Sequence, residues 1–403
     1  MSFAPPPPAV PQHVRMPHWP LLRKKQVFVV PIITIVIGAL VMCVLIALTV
    51  VNTPVIGMVA VLVSAAASII GIVLLLFLDR WEPEPPHLLV AAFFWGGGVS
   101  LLIVLIGSLP LALIGGDGDF FTAVISAPLV EESAKGLFLV LVLLASRRGR
   151  AEFNSLTDAL VYAGFVGIGF SFIEVLLYIA GEDSLGGALV LAGVRLGLGA
   201  WSHSIYTAMT AIGLWLGVTT RGPMRILWPF LGWCVAVLLH AIHNGSTFLG
   251  VGAYFGSLLL FSLPAFIVFV VLAVRSYRQE GRIVTGQLPV LVHNGWVTPE
   301  QASWLASVRN RKRAIAHART QGRAERARVA AFRDNVTELA FARNRLDRMG
   351  PPYSPELVAH HDELVGLLTS NRQWMGAHLP PQPQAWPVVG AIPGPEYRQP
   401  DWR

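Results

Sequence analysis

Charge is scarce in this 403-residue chain. Lys, Arg, Asp and Glu together make up 13% of it against an apolar fraction of 54%, and the mean hydropathy is +0.61. A soluble globular protein carries about a quarter charged residues, so a water-exposed surface along the whole chain is excluded and lipid is the expected solvent for most of it. Cysteine is nearly absent. Cys43 and Cys234 lie inside apolar runs without C-x-x-C spacing, which excludes a disulfide framework and a thiolate metal site. No internal repeat is visible, which counts against the related halves usual in secondary transporters.

Where charge does occur, it is unevenly placed. Of the 30 Lys and Arg residues, 18 lie from Arg275 onward, with only 11 of the 23 acids, so the excess of bases belongs to the C-terminal part. A basic region beside a membrane reads as an anchor on the anionic cytoplasmic leaflet, and no nucleic-acid site is expected. Residues 1–25 are proline-rich and end in Arg23-Lys24-Lys25, the composition of a disordered arm. Apolar runs long enough for a hydrocarbon layer of about 30 Å follow. They fall near 26–50, 55–78, 88–114, 120–146, 157–180, within 187–219, and at 226–249 and 252–274.

The expected fold is therefore all-α, a polytopic membrane bundle of about eight spans over 26–275. Bases cluster in alternate connections, at 23–25, 146–150, 221–225 and 275–282, while the opposite connections have none. That pattern places both ends of the sequence in the cytoplasm. The segment 187–219 is too long for one span and opens with a glycine-broken stretch, so an interfacial or re-entrant piece is expected before a span starting near Gly199. Gly193 and Gly197, a G-x-x-x-G pair, read as a helix-packing face. Residues 276–370 have the periodicity of a basic, cytoplasmic helical region. A capping box at Thr298 and Gln301 opens a long Arg/Ala helix that runs to Gly350, and a short helix follows at Pro355. The proline-rich residues 371–403 read as disordered.

Against this background the ionisable residues inside the spans stand out: Glu131, Glu132, Lys135, Glu174, Arg195, His203, His240 and His243. A charge at mid-bilayer costs roughly 2.5–3.5 kcal/mol, so such residues collect at pairings, pathways or active sites. At about 1.5 Å per residue from the outer helix ends, Glu131 lies roughly 16 Å deep, Glu174 about 9 Å and His240 about 14 Å. His203 lies at about 6 or 21 Å, depending on where its helix begins. Four spans thus send polar groups toward one layer in the outer half of the bilayer. Carboxylates with imidazoles can deprotonate water, hold a metal or polarise a carbonyl. No serine or cysteine stands beside an evident base, which favours water as nucleophile. Glu131 and Lys135 are i, i+4 and share a helix face. His240 and Asn244 share the same spacing, which would present an imidazole and an amide donor together, as an oxyanion site requires.

These residues resemble the PrsW family of intramembrane proteases, distantly related to the CAAX prenyl proteases and bacteriocin-immunity proteins. The matching motifs are "EESAK" (Glu131 to Lys135), "FSFIE" (Phe170 to Glu174), "RLGLGAWSH" (Arg195 to His203) and "HAIHN" (His240 to Asn244), in family order on consecutive spans. The resemblance covers roughly residues 55–250. It implies hydrolysis of membrane-anchored proteins on the outer side, anti-sigma factors among them, in a bacterial plasma membrane. On it, Glu131 would activate water with Glu132 in support. Glu174, His203 and His240 would hold a Zn2+ or, without metal, the water itself. Asn244 would stabilise the oxyanion, with Lys135, Arg195 and Phe170 supporting. One departure is Val175, where the family often has asparagine. The residues by themselves leave two other classes open: a proton-coupled relay through the same groups, and a non-catalytic scaffold whose basic tail recruits a partner the sequence does not name.

Overall fold

A computed structural model describes residues 29–115, 118–144, 155–349 and 355–370. The expected arm at 1–25, the basic connection at 146–150 and the tail at 371–403 lie outside the described residues. Within them all regular structure is helical.

α1 (Val29–Asn52) and α2 (Pro54–Leu78) meet at Thr53, and Pro54 opens α2, where its missing N–H costs no helical bond. α3 (Pro86–Phe94) continues through a wide π-turn at Trp95–Val99 into α4 (Ser100–Gly115). A single turn, α5 (Asp119–Phe121), passes through a second π-turn at Thr122–Ser126 into α6 (Ala127–Leu144). α7 (Leu156–Ala180) is started by a reciprocal cap between Ser155 and Asp158. α8 (Leu185–Leu196) and a 3-10 turn at Leu198–Trp201 precede α9 (Ser202–Thr219), so the expected short piece before the span is present. α10 (Met224–Thr247) follows. α11 (Val251–Ser257) then leads through a third π-turn at Leu258–Ser262 into α12 (Leu263–His293).

Among the described residues, six helical stretches are long and apolar enough to cross a membrane: Val29–Asn52, Pro54–Leu78, Pro86–Leu111, Leu156–Ala180, Met224–Thr247 and Val251–His293. The two other expected spans coincide with the α5–α6 run, which carries Glu131, Glu132 and Lys135, and with α9. α7 is the central helix. In its most apolar window 83% of the residues are buried, against 11% for α10, whose outward face presents Ile226, Phe230 and Leu238 as lipid contact would require. α7 packs on α2, on α9 and on the π-turn at Trp95–Val99.

Two glycines set the approach of α9. A Cβ on Gly167 would stand 2.4 Å from the Ser204 backbone, and one on Gly213 would stand 2.5 Å from the Trp228 carbonyl. Only glycine lets α9 lie this close to both α7 and α10. Among the described residues, no helix packs against the expected face at Gly193 and Gly197. A Cβ on Gly193 would meet nothing within 4 Å, and one on Gly197 only the Val194 carbonyl of the preceding turn.

The described residues divide into a membrane unit that ends at Arg282 and a second unit that begins at Ile283. In the second unit the capping box of Thr298 and Gln301 opens α13 (Pro299–Leu305) as the sequence indicates. The single long helix expected after it is instead three: α13, α14 (Val308–Thr320) and α15 (Arg323–Met349). Ser307 caps α14 through the Asn310 N–H, and Gly322 with φ of +122° turns the chain between α14 and α15. α16 (Pro355–Ser370) completes the unit. Phe332, Val336 and Leu339 on one face of α15 bury against Leu288 and Leu291 of α12, Leu305 of α13, and Leu364 and Leu368 of α16.

Candidate active site

The membrane unit gathers the sequence-flagged charges into one network. On α6, Lys135 is fully buried, and its ammonium lies 2.7 Å from Glu132 Oε1 and 3.4 Å from Glu131 Oε2. The i, i+4 pair with Glu131 that spacing suggested is present, and Glu132 at i, i+3 is a second and closer partner. Lys135 Nζ also donates to His203 Nδ1 of α9 at 2.8 Å and lies 3.9 Å from the centroid of the Phe170 ring on α7. A buried lysine thus directs its donors at three polar groups and one aromatic face, which is what allows an ammonium so far from water.

Tautomers follow from donor rules. A lysine ammonium only donates, so His203 Nδ1 accepts and Nε2 carries the ring proton, which it gives to Glu174 Oε2 of α7. Glu174 also meets Arg195 of α8, whose Nη1 lies 3.4 Å from Oε2 and whose guanidinium covers the Tyr178 ring at 4.0 Å. Arg195 is therefore tied into the network. On α10, His240 Nδ1 donates to Glu132 Oε1 at 3.0 Å. The remaining nitrogen, Nε2, faces Glu131 Oε2 at 3.9 Å, near enough for one water molecule or one metal ion to touch both. Glu132 is fully buried, whereas Glu131 keeps 15% of its side chain exposed. Glu131 is the carboxylate of the pair that an incoming molecule can reach.

Asn244 does not point into this centre. Its amide donates to the Ala123 carbonyl at 2.8 Å, a backbone group of the π-turn at Thr122–Ser126, and so ties α10 to the start of the α6 segment. Val175 packs in an apolar cluster with Ile173, Leu176 and Ile179, so the asparagine-to-valine departure places no polar group there. His243 stands beside the centre, its ring 5.4 Å from Tyr254 and 6.4 Å from Tyr206.

Tyr206 was not marked by sequence reasoning. It is fully buried, stacks on His240 with ring centres 5.2 Å apart at 19°, and meets His203 edge-on at 5.9 Å. The available signal was its i+3 spacing from His203 in "SHSIY", which puts both on one face of α9.

Among the described residues, Glu131, His203 and His240 form a group whose donor atoms all lie within 4.8 Å of one another. This differs from the expected trio: Glu131 takes the place of Glu174, which is engaged by His203 and Arg195. Two imidazoles and one carboxylate are a donor set suited to a catalytic zinc, and Glu132 on His240 Nδ1 supplies the outer carboxylate that fixes such a ligand. The buried Glu132 Oε2 has no hydrogen-bond partner among the described residues, which also suits a polar guest. The set fits, with one condition: both nitrogens of His203 are engaged, so ligation requires it to exchange one contact.

Residues 84–274, which contain every member of this network, match the family profile described as PrsW family intramembrane metalloprotease. Protease PrsW of Bacillus subtilis (strain 168) is 28% identical over 168 residues, which is 41% of this chain and 72% of that protein. Protease PrsW of Clostridioides difficile (strain 630) is 30% identical over 108 residues, 26% of this chain and 44% of that protein. No solved structure matches the chain. Over residues 84–274 of its membrane unit, the chain is thus similar to the PrsW family of intramembrane metalloproteases.

Proposed function

We propose that the network around Glu131 is the hydrolytic centre of this intramembrane protease, and that it cuts membrane-anchored proteins, anti-sigma factors among them, in the outer half of a bacterial plasma membrane. The observation that carries the reading is the facing pair of Glu131 Oε2 and His240 Nε2, 3.9 Å apart, backed on both sides by buried partners.

Glu131 takes the proton of the attacking water, and the water oxygen adds to the scissile carbonyl carbon. The proton then passes to the leaving amide nitrogen as the C–N bond breaks. Glu132 holds His240 in the tautomer with Nε2 free, and Lys135 balances the charge of both carboxylates. Glu174 and Arg195 fix His203 from the opposite edge. Glu131, His203 and His240 would hold a Zn2+, which supplies a Lewis acid and lowers the pKa of bound water to about 7. In a centre without metal the same carboxylate acts on water directly.

The protein crosses the membrane eight times in this reading, with α6 and α9 among the spans and both ends of the sequence cytoplasmic. On the second unit, α14 contains no acid and exposes Arg309, Lys312, Arg313 and Arg319. That face rests on the anionic cytoplasmic leaflet, at about 1 kcal/mol per base near the surface. The test is cleavage of single-span peptides by the full chain in proteoliposomes, with and without a chelator, mapped by mass spectrometry. Cuts within the outer half support the reading, and cuts confined to the cytoplasmic half contradict it. Loss of cleavage with chelator and its return with Zn2+ assign the metal.

A further inference from the structure

His240 is held at its edges by polar groups and at its face by something else. Its Nδ1 meets Glu132 at 3.0 Å and its Nε2 faces Glu131 at 3.9 Å. Those two contacts define directions within the imidazole plane but do little to stop the ring tilting out of that plane. The face is covered by the Tyr206 ring, nearly parallel at 19° with centres 5.2 Å apart. The same tyrosine meets His203 edge-on at 80° and 5.9 Å, and His203 in turn meets His240 at 83° and 5.0 Å. Three rings therefore close on one another. Two of them belong to α9, at i and i+3, and the third to α10. Tyr206 and His240 are buried to 0% and 1% exposure, so neither has room for a second rotamer without displacing the other.

The hydroxyl does not touch His240: Tyr206 Oη is buried toward Ser262 and Ser202 and forms no well-aligned hydrogen bond among the described residues. The ring is what the residue provides.

We propose that Tyr206 is a positioning residue for the hydrolytic reaction, its ring fixing the plane of His240 so that Nε2 stays aimed at the Glu131 side of the centre. The inference rests on the assignment of His240 to that centre, and it acts through His240 without contact to substrate. The consequence is specific: removing the ring harms turnover and binding of a cation at the centre, while removing the hydroxyl harms neither. A misplacement of about 1 Å at a reacting group costs up to roughly a hundredfold in rate. Tyr206→Leu should therefore lower kcat by about ten- to a hundredfold with KM little changed, and Tyr206→Phe should restore it.

The experiment compares the full-length wild type, Tyr206→Phe and Tyr206→Leu in detergent. Its readouts are kcat and KM on a transmembrane peptide the wild type cleaves, and the dissociation constant for added Zn2+ by equilibrium dialysis. Tyr162→Leu serves as the control for loss of a buried tyrosine, because Tyr162 is equally buried, packs its ring on Phe138 and donates its hydroxyl to Glu84, away from the imidazoles. A kcat loss in Tyr206→Leu with weakened Zn2+ binding, rescued by Phe and absent from a folded Tyr162→Leu, supports the proposal. Equal kcat and equal Zn2+ binding in wild type, Phe and Leu proteins overturn it, as does an equal kcat loss in Tyr162→Leu. If the wild type cleaves no peptide at all, the hydrolytic reading fails, and the Zn2+ constants still decide whether Tyr206 orders His240.

Discussion

Removing the Lys135 ammonium is the perturbation whose cost the structure sets most clearly. Lys135 has no exposed surface and lies 2.7 Å from the equally buried Glu132, 2.8 Å from His203 Nδ1 and 3.4 Å from Glu131. Lys135→Met keeps the length and the contact with Phe170 but leaves the Glu132 charge buried beside a second carboxylate, with His240 Nδ1–H as its remaining donor. Breaking a buried pair from one side costs about 3–5 kcal/mol. Replacing both charges removes that penalty, so Lys135→Met with Glu132→Gln should lie within about 1–2 kcal/mol of wild type, the worth of the hydrogen bonds lost. Equilibrium unfolding in mixed micelles measures both. The double variant should be folded yet inactive, which separates stability from chemistry. A single variant that costs under about 1 kcal/mol, or a double variant no more stable than the single, would refute the reasoning.

Other perturbations separate roles that the geometry distinguishes. Asn244→Ala removes the bond to the Ala123 carbonyl and should cost about 1 kcal/mol with a small effect on kcat; a kcat loss of a hundredfold or more at unchanged stability would restore the oxyanion role instead. Gly167→Ala places a methyl 2.4 Å from the Ser204 backbone, so it should destabilise by about 1–3 kcal/mol or more and lower activity by moving His203 from Glu174, read by thermal unfolding and cleavage rate together. Arg195→Leu frees one side of Glu174 and should reduce kcat more than KM, whereas a lipid-anchoring arginine would change neither, as steady-state kinetics will tell.

Much of the site could be read from the sequence because ionisable residues are costly in lipid. Glu131, Glu132, Glu174, His203 and His240 were visible for that reason, and helix rise alone put most of them near one depth. What stayed hidden depends on features without a charge signature. The π-turn at Thr122–Ser126 does not disturb apolar periodicity, yet its Ala123 carbonyl is what turns Asn244 away from His240. Lys135 pairs with both carboxylates, closer to Glu132 than to Glu131, and also with His203 on another helix, a partner that spacing within α6 does not show. Tyr206 looks like any aromatic in an apolar run until α10 is laid against it. The glycines showed the converse problem. The G-x-x-x-G motif at Gly193 and Gly197 meets no other helix among the described residues, while Gly167 and Gly213, in no such motif, bring the helices of the site together. In the second unit, Ser307 and Gly322 interrupt a run whose composition favours helix throughout, because a side-chain cap and a left-handed residue outweigh propensity locally.

The central claim is that Glu131 and His240 together activate water for peptide hydrolysis. Its most direct test is cleavage of one transmembrane peptide by purified wild type, Glu131→Gln and His240→Ala under single-turnover conditions, with folding checked by thermal unfolding. Loss of about a hundred- to ten-thousandfold in both folded variants is the predicted result. Product formed at the wild-type rate by either one would contradict the account.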